Sequence, residues 1–476
     1  MKRLDGLLNA YSTKDYYPFH MPGHKRRAGK GTFSSPFSID ITEIEGFDNL
    51  HHPEGILKDA QERAACLYGA EKTYYCVNGS SGGILSGISA CTTPGGTLLM
   101  ARNSHKSVYH AAYLRGLQTV YLDSEPEHRY GLNGGITCRE VEEKLAANPG
   151  TQAVILTSPT YDGVVSDIRG ISEIVHRYKI PLLVDEAHGA HLGFHPYFPE
   201  PALACGADLT VQSLHKTMPC LTQTALVHLG SQRVPREALE RFLGIYQTSS
   251  TSYVLMASIE YGLGLVTDDG ERLFEEYAGL LKVHRKRLES LENLKLVPRS
   301  LEGTHGIYAM DPSKLLISTK GCRLTGAQLY SILLDKYHLP MEMAARDYVL
   351  GMTSIMDTAL GYERLSTALE EIDQNVDKAD DSEHGCGYCG YWNYGEQRLT
   401  IADALERDRK PVVLWESPGR ISGEYLYLYP PGIPLLVPGE MITERLIDEV
   451  REYQNMGLDL QGPADYTNQR IQVVCQ

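Results

Sequence analysis

The segment Asn78-Gly79-Ser80-Ser81-Gly82-Gly83 has the composition of an anion-binding site. It lies between an apolar run that predicts a strand and an apolar run that predicts a helix. Backbone N–H groups, the hydroxyls of Ser80 and Ser81 and the helix dipole would all favour a phosphate there. The spacing is neither GxGxxG nor that of a P-loop, since no GK[ST] follows. A plain structural turn is the alternative that this segment leaves open.

A second polar segment, Val184-Asp185-Glu186-Ala187-His188-Gly189-Ala190-His191, ends another apolar run. A carboxylate such as Asp185 at that position could hold a protonated ring nitrogen. Asp185, His188 and His191 also have metal-ligand chemistry. The sequence offers no distant His or Cys cluster to complete a metal site, so we predict none. Contact with a cofactor ring and simple capping of the strand end both remain open.

Lys216 closes a third apolar run, within Gln212-Ser213-Leu214-His215-Lys216-Thr217. Desolvation after a buried strand would lower the pKa of this amine and make it a nucleophile toward an aldehyde. An ordinary surface lysine is the alternative. The three segments together match the needs of pyridoxal 5'-phosphate: a turn for the phosphate, Asp185 for the pyridine nitrogen and Lys216 for the aldehyde. His105, after a further strand, could stack on the pyridine face.

Regular alternation of strands and helices predicts how these segments are positioned. Between residues 60 and 230, short apolar runs alternate with amphipathic stretches, which favours an α/β fold with a mainly parallel sheet covered on both faces. Ligands of such sheets bind beyond the carboxyl ends of the strands. The predicted strands are Thr73–Val77, Thr97–Ala101, Thr119–Leu122, Ala153–Thr157, Pro181–Val184, Leu209–Gln212 and Ala225–Leu229.

The pattern changes along the chain and predicts several domains. After about residue 235 it becomes more helical, and residues 377–397 are polar and rich in glycine. Cys386 and Cys389 lie in this segment as a single CxxC pair, which we interpret as incidental thiols rather than a zinc or redox site. The predicted divisions are an N-terminal arm (1–30), a large cofactor-binding domain (31–295), a small α/β domain (296–376), a linker (377–397) and a C-terminal domain (398–476).

Composition excludes several classes of protein. The chain has 476 residues with 60 acidic and 45 basic side chains, a net charge of −15 that argues against a nucleic-acid binder. No apolar stretch approaches the roughly 18 residues of a membrane span, and the N-terminus lacks the apolar core of a secretion signal. Ten irregularly spaced cysteines favour reduced thiols and a cytoplasmic location.

Beyond these local patterns, the chain resembles the bacterial ornithine/lysine/arginine decarboxylase family of fold-type I pyridoxal phosphate enzymes. The resemblance implies an aspartate-aminotransferase-like large domain with a seven-stranded sheet, smaller α+β C-terminal domains, and the short form without an N-terminal wing domain. The motifs that carry it are PFHMPGHK (18–25), VNGSSGG (77–83), RNSHKS (102–107), SPTYDGVVSDI (158–168), VDEAHGAH (184–191), QSLHKT (212–217), TSSTSYVLMASIE (248–260) and GRISGEYLYLYPPGIPLLVPGE (419–440).

The resemblance also implies a role for each matching residue. Lys216 would bind the cofactor aldehyde covalently, Asp185 would pair with the pyridinium nitrogen, His188 would lie near O3′ and His105 would stack on the ring. The phosphate would be held by Ser80, Ser81, Ser213 and His215. Here Ser81 stands where the family turn usually has threonine, which keeps the hydroxyl. His215 and His188 are both possible proton carriers. Ser249, Ser250 and Ser252 could reach a neighbouring subunit's phosphate, which implies a homodimer or higher homo-oligomer.

The implied reaction is decarboxylation of a basic L-amino acid to an amine and CO2, as in polyamine biosynthesis. Arginine is favoured, by analogy, over lysine and ornithine. Glu424 is the predicted partner of the substrate's distal charge, with a surface strand glutamate as the alternative, and His20 in the N-terminal arm is predicted to line the site or to brace a dimer. An aminotransferase, an aldolase-type enzyme and a catalytically silent regulatory relative are the competing interpretations.

Overall fold

The computed structural model describes residues 14–25, 36, 39–44, 46–378, 395–428, 433–455 and 460–475. Helices and strands alternate in the region from residue 56 to residue 229. Their bounds in chain order are α1 (Ile56–Tyr68), β1 (Lys72–Cys76), α2 (Gly79–Cys91), β2 (Thr97–Ala101), α3 (Lys106–Arg115), β3 (Gln118–Leu122), β4 (Pro126–Glu127), β5 (Leu132–Asn133), α4 (Cys138–Ala147), β6 (Thr151–Thr157), β7 (Val164–Val165), α5 (Ile168–Arg177), β8 (Leu182–Asp185), β9 (Leu209–Gln212), α6 (Leu214–Thr217) and β10 (Ala225–Leu229).

Seven of the described strands form the central sheet, in the order β1-β10-β9-β8-β6-β2-β3. Strand β10 runs antiparallel to both neighbours, and the remaining pairs are parallel. Helices cover both faces, with α2 and α3 in one apolar cluster and α4 and α5 in another. Strands buried on both faces are continuously apolar, as in β8 and β9. The predicted α/β fold with a mainly parallel seven-stranded sheet is confirmed.

The segment predicted as a Gly/Ser turn is instead the first turn of helix α2. Gly79 begins this helix with a φ of +70°, a left-handed conformation that glycine adopts without strain. Farther along, a Cβ at Gly83 would lie 2.7 Å from a methyl group of Val227. The glycines therefore bring α2 directly onto the sheet, and Ser80 and Ser81 occupy its N-terminal end.

A second, smaller sheet follows a long helix. The elements of this region are α7 (Arg236–Tyr246), α8 (Tyr253–Leu288), β11 (Lys295–Leu296), β12 (Ala309–Met310), β13 (Lys314–Ser318), α9 (Gly326–Asp335), β14 (Met343–Ala344), β15 (Tyr348–Met352) and α10 (Ala359–Asn375). Four of these strands form an antiparallel sheet in the order β11-β13-β15-β14. Helix α8 has 36 residues, a length of about 54 Å, and α10 packs against it.

The C-terminal region has its own apolar core. Its elements are α11 (Ile401–Glu406), β16 (Arg409–Val413), β17 (Leu426–Leu428), β18 (Ile433–Leu436), α12 (Glu444–Asn455), β19 (Leu460–Gln461) and β20 (Arg470–Val474). Two small antiparallel sheets, β16-β20 and β18-β17-β19, enclose this core with α12. Cys386 and Cys389 of the predicted linker lie outside the described residues. Within the described ranges, no helix is long and apolar enough to cross a membrane.

Candidate active site

A cavity of about 500 Å³ opens at the edge of the central sheet where its parallel strands end. Strands β1, β2, β6, β8 and β9 all end there, as expected for a ligand site of a parallel sheet. The cavity is lined by Met21, Gly79, Ser80, Ser81, Asn103, His105, Asn133, Thr157, Thr160, Tyr161, Asp162, Asp185, Ala187, His188, Ser213, His215, Lys216, Glu342 and Ile433. The structure therefore brings together eight of the ten residues predicted for the site.

Lys216 lies in the short helix that follows β9, and its side chain lines the cavity. Its Nζ is 2.9 Å from Nε2 of His188. Burial lowers the pKa of Lys216, although the nearby carboxylates of Asp185 and Glu342 act in the opposite direction. Lowering the pKa increases the fraction of neutral, nucleophilic amine, which is the property that reaction with an aldehyde needs.

Asp185 ends strand β8 and is 3% exposed. Its Oδ1 accepts a hydrogen bond from the N–H of Ala187 at 3.1 Å. Burial raises the pKa of this carboxyl, and the charge of Lys216 and the Ala187 amide only partly oppose that shift. A protonated ring nitrogen beside Asp185 would supply the opposite charge that a buried carboxylate requires.

The hydroxyl groups at the start of α2 face those that follow β9. Ser213 Oγ donates a hydrogen bond to Ser80 Oγ at 2.8 Å. Ser81 lines the same side of the cavity, and Thr157 contributes a buried Oγ1 with no hydrogen-bond partner in the described chain. The N-terminus of this 13-residue helix, which has no side-chain cap, adds backbone N–H groups to these donors, so this end of the cavity suits a phosphate.

The three cavity histidines differ in their hydrogen bonds. His105 caps α3, and its Nδ1 accepts from the N–H of Ser107 at 3.3 Å. His215 Nδ1 lies 3.1 Å from the carbonyl oxygen of Thr224, to which it donates. Burial lowers the pKa of His105 to about 3 and that of His215 to about 4. Both rings are therefore neutral near pH 7, which suits stacking and hydrogen bonding rather than ion pairing.

His188 is 4% exposed and carries a buried nitrogen without a partner. Its Nε2 is paired with Nζ of Lys216, and its Nδ1 has no hydrogen-bond partner among the described residues. Burial lowers the pKa of His188 well below its usual value, and Lys216 adds to the effect. A buried ring nitrogen of this kind is expected to meet a hydrogen-bonding partner on a bound molecule.

Two residues predicted to bind substrate are not among those that line the cavity. Glu424 lies in the C-terminal region, where its Oε2 accepts from the N–H of Ala464 at 2.9 Å and its Oε1 from that of Gln472 at 2.7 Å. His20 Nδ1 is 2.5 Å from the carbonyl oxygen of Met21, and it is Met21 that reaches the cavity. The roles assigned to Glu424 and His20 stay predictions.

Among the cavity residues that sequence reasoning missed, three have ionisable side chains. Tyr161 and Asp162 follow β6, so the rule that ligands bind beyond strand ends could have identified them. Glu342 comes from the small sheet, 157 residues away from Asp185 in sequence, and no local pattern signals it. Its Oε2 accepts from the N–H of Met21 at 2.8 Å, and its Oε1 accepts from the hydroxyl of Tyr161.

Comparison with known proteins agrees with this geometry. The family described as "Orn/Lys/Arg decarboxylase, major domain" matches residues 4–330, and that family's C-terminal domain matches residues 396–459. The chain belongs to this decarboxylase family. It is 33% identical to an arginine decarboxylase of Bacillus subtilis (strain 168) over 473 residues, 98% of this chain and 96% of that protein.

Two further proteins are similar to this decarboxylase, one in sequence and one in fold. An arginine decarboxylase of Halalkalibacterium halodurans is 34% identical over 476 residues, 98% of this chain and 96% of that protein. The crystal structure of the lysine decarboxylase of Francisella novicida superimposes with a TM-score of 0.79 at 21% identity, covering 99% of this chain and 80% of that chain. The latter similarity establishes the fold alone.

Pyridoxal phosphate is the cofactor of this decarboxylase family, and the cavity fits it. The hydroxyl-rich start of α2 provides for a phosphate, Asp185 for a ring nitrogen and Lys216 for an aldehyde. Nδ1 of His188 and Oγ1 of Thr157 have no hydrogen-bond partner among the described residues, and both are buried polar atoms that a polar ligand would satisfy.

Proposed function

We propose that this decarboxylase converts L-arginine to its amine and CO2, with lysine and ornithine as poorer substrates. The observation that carries the proposal is the convergence of Lys216, Asp185, His105 and His188 on one cavity with the serine-lined start of α2. The arginine decarboxylases at 33% and 34% identity over nearly the full chain support the choice of arginine. The amine product is of the kind used in polyamine biosynthesis.

Bound pyridoxal phosphate supplies a ring that takes up the electron pair left when CO2 departs. Asp185 would keep the ring nitrogen protonated, and preorganised charge of this kind is typically a large catalytic contribution. His105, held by Ser107 at the start of α3, would pack on one face of the ring. Ser80, Ser81, Ser213 and His215 would hold the phosphate and fix the ring's orientation.

Proton transfer is assigned to Lys216 and His188. Lys216 would hold the cofactor aldehyde until a substrate amine takes its place, and its amine would then be available as a proton carrier in the same cavity. With His188 Nε2 2.9 Å from Nζ, a proton can move between the two groups and on to the substrate Cα after CO2 departs. His215 is less suitable for this role, because its Nδ1 hydrogen is already donated to the Thr224 carbonyl.

An aminotransferase would bind the substrate α-carboxylate with an arginine, and no arginine lines the cavity among the described residues. Arg346, which directly precedes Asp347 in the loop before β15, pairs with Asp347 and with Glu452. Retention of Lys216 and Asp185 likewise disfavours a silent regulatory relative. Decarboxylation is therefore the function that we propose.

We also propose that the enzyme is a homodimer or a higher homo-oligomer in the cytoplasm. A mainly apolar groove of about 450 Å³, here called the α1–α8 groove, is lined by Phe47, Ile56, Leu57, Tyr253 and Met256, among others. Phe47 is 47% exposed and Ile56 55% exposed, and exposed apolar patches of this kind mark protein interfaces. The described cysteines are free thiols, which agrees with a reducing compartment.

Product analysis tests the proposed reaction. Purified protein with pyridoxal phosphate is incubated separately with arginine, lysine and ornithine, while amine and CO2 are quantified by mass spectrometry. We expect equimolar agmatine and CO2 from arginine, at a kcat/KM at least about 10-fold above those of the other two. Lys216→Ala should abolish both turnover and the visible absorbance of the lysine-bound cofactor. Absence of CO2 from all three amino acids, with that absorbance present, would refute the proposal.

A further inference from the structure

Residues 17–25, with the sequence YPFHMPGHK, run from the small sheet to the helix that carries Lys216. We call this segment the arm strap. Met21 lines the cavity, but the chemistry described so far gives the segment no part in the reaction. Its two halves contact different parts of the molecule, so the arm strap links two walls of the cavity.

The first half of the arm strap pairs with the small sheet. The N–H of Phe19 donates to the carbonyl oxygen of Pro340 at 2.9 Å, and the carbonyl oxygen of Phe19 accepts from the N–H of Met352 at 2.8 Å. Two residues farther on, the N–H of Met21 donates to Oε2 of Glu342 at 2.8 Å. Because Glu342 lines the cavity, this half of the segment is fixed to the cavity wall.

The second half of the arm strap meets the backbone of the helix that carries Lys216. The N–H of Gly23 donates to the carbonyl oxygen of His215 at 2.8 Å. A Cβ at Gly23 would lie 2.7 Å from the carbonyl oxygen of Met218 and 3.0 Å from its nitrogen. Glycine permits this approach because it has no side chain. The contact is therefore one of backbone against backbone, and it bears directly on the position of Lys216.

Lys25 closes the arm strap on itself and onto the small sheet. Its side chain is buried, and its Nζ donates to the carbonyl oxygens of Pro18 at 3.2 Å, His20 at 3.3 Å and Met352 at 2.6 Å. Asp357 lies 3.8 Å from the same nitrogen and supplies the opposite charge that a buried ammonium requires. One cation thus joins two carbonyl groups of the segment to one of β15.

The loop before α10 holds both ends of the arm strap. Asp357 Oδ1 accepts from the hydroxyl of Tyr17 at 2.9 Å, and Ser354 Oγ donates to the carbonyl oxygen of Gly23 at 2.6 Å. Lys25 itself has a φ of +49°, a left-handed conformation that a residue with a side chain adopts at an energetic cost. Such a conformation persists where the surrounding contacts enforce it, which is the case here.

We propose that the arm strap positions Lys216 for reaction, with Gly23 and Lys25 as its positioning residues. The inference rests on the proposed function and deepens it, because it names what holds the reacting amine in place. Gly23 sets how closely the segment approaches the helix that carries Lys216, and Lys25 holds the segment to the small sheet. A displacement of about 1 Å at a reacting group can lower a rate on the order of 100-fold, so this support matters for turnover.

Gly23→Ala tests the contact with the helix. The added methyl group must displace the backbone at Met218, two residues after Lys216. We expect kcat for arginine to fall about 10-fold or more, while KM changes less than about threefold. The dissociation constants of pyridoxal phosphate and of pyridoxal, which lacks the phosphate, should both rise about 10-fold or more, because the same amine reacts with both aldehydes. Titration of the visible absorbance measures these constants.

Lys25→Met and Lys25→Gln test the other end of the arm strap. Methionine removes the charge and the donors, whereas glutamine keeps N–H donors for the carbonyl oxygens. We expect Lys25→Met to lower kcat and to weaken both forms of the cofactor as Gly23→Ala does, and Lys25→Gln to lie between Lys25→Met and the unmodified enzyme. Neither substitution adds an atom against the helix, so these variants decide the question if Gly23→Ala does not fold.

Two controls separate positioning from a general loss of stability. Gly279→Ala makes the same change in α8, where an added Cβ meets no atom within 4 Å, and it should leave kcat unchanged. Asp373→Asn weakens a buried carboxylate that accepts from the backbone N–H groups of Asn293 and Leu294, so it should lower Tm without changing either dissociation constant.

Unchanged affinity for pyridoxal in the Gly23 and Lys25 variants would overturn the inference, as would an equal loss of affinity in Asp373→Asn. The result also distinguishes this inference from the proposed function. If the unmodified enzyme releases no CO2 from arginine while the arm-strap variants still weaken both forms of the cofactor, the proposed function fails and the role of the arm strap stands.

Discussion

Desolvation is the main cause of the pKa shifts of the individual residues in this site. The pKa of Lys216 is lowered and that of Asp185 is raised by the same physical cause, burial at the carboxyl ends of the strands. Each group is therefore less charged than it would be in water until a ligand arrives. We expect the cofactor aldehyde to react with the Lys216 amine and the protonated ring nitrogen to pair with the Asp185 carboxylate.

Asp185→Asn tests the role of the carboxylate at the ring nitrogen. An amide cannot stabilise a protonated ring nitrogen by charge, so we expect kcat to fall on the order of 100-fold or more. Lys216 is untouched, and the visible absorbance of the bound cofactor should remain. Single-turnover CO2 release measures the chemical step directly. A kcat within about fivefold of the unmodified enzyme would remove Asp185 from the mechanism.

Asp162 gives the apoprotein a specific dependence on pH. Burial raises the pKa of this carboxyl from 3.8 to about 6, although Tyr348 and Lys314 oppose the shift. A carboxyl with a raised pKa holds its proton more tightly in the folded state, so stability falls as pH rises through this window. Asn carries no such proton. We therefore expect Asp162→Asn to gain in Tm relative to the unmodified apoprotein between about pH 4 and pH 7.5.

Differential scanning fluorimetry measures the Tm of the two apoproteins across this pH range. The test depends on whether the Tm difference rises or falls with pH. Its absolute size is less informative, because the amide also alters the hydrogen bond from Tyr348. A Tm difference that stays constant or shrinks with rising pH would show that the Asp162 carboxyl is ionised throughout. In that case its burial is compensated by a cation already present in the chain.

At the scale of elements, a buried ion pair joins the loop after β2 to the C-terminal region. Arg102 and Glu440 are 3.0 Å apart with side chains 1% exposed. Arg102 also donates to the carbonyl oxygen of Pro434 at 2.7 Å, and its guanidinium lies over the rings of Tyr109 and Tyr121. Arg102 precedes His105 by three positions, so the ion pair links the C-terminal region to the loop that carries the residue predicted to stack on the cofactor.

Replacing one member of this pair should be worse than replacing both. Arg102→Met leaves the Glu440 charge buried and unpaired, which typically costs about 3–5 kcal/mol, whereas Arg102→Met combined with Glu440→Met removes both charges. We expect the double variant to be more stable than the sum of the single losses predicts. The exposed pair Arg177–Glu142, with both side chains 56% exposed, is the control and should change stability by about 1 kcal/mol or less.

Denaturant unfolding of the two single variants and the double variant provides this comparison. Cofactor affinity should fall with stability in the single variants, because Arg102 precedes His105 by only three positions. Additive losses of stability in the double variant would indicate that Arg102 and Glu440 act independently. In that case the ion pair would form because the loop after β2 packs against the C-terminal region, and it would not itself stabilise that packing.

The strands that end at the cavity can be predicted from the sequence, because a local pattern of residues marks each of them. Apolar runs mark strands. Asp185 ends a strand, and Ser80 and Lys216 each lie four residues after one, so a rule about strand ends suffices. Glu342 reaches the cavity through the packing of the small sheet, which no short pattern encodes. Glu424 is predicted by analogy with the family's C-terminal domain, whose placement depends on long-range contacts. Both carboxylate oxygens of Glu424 accept hydrogen bonds from backbone N–H groups of the C-terminal region.

At the scale of the whole molecule, the α1–α8 groove is where self-association is expected. Ile56 is the first residue of α1 and is 55% exposed, so an acidic residue there leaves the helix intact and even favours its N-terminus. Ile56→Asp should therefore shift the protein from dimer toward monomer without loss of fold. Light scattering coupled to size-exclusion chromatography measures the mass of each species.

Leu360→Asp is the control for this substitution, since Leu360 is 69% exposed on α10 and does not line the groove. It should leave the dimer unchanged. Dimers of undiminished stability in Ile56→Asp would exclude the groove as the interface. Monomers in the unmodified protein at micromolar concentration would exclude self-association altogether.

Helix α8 begins at this groove and ends beside the small sheet. Tyr253 and Met256 of its first turn line the groove, while Arg287 near its other end pairs with Glu363 and Glu370 of α10. Over a length of about 54 Å, a rotation of one degree at the groove displaces the far end by about 1 Å. We therefore expect a subunit that binds the groove to shift the small sheet and, with it, the cavity wall at Glu342, which directly precedes β14. The docking angle between subunits would then set the width of the cavity on this side.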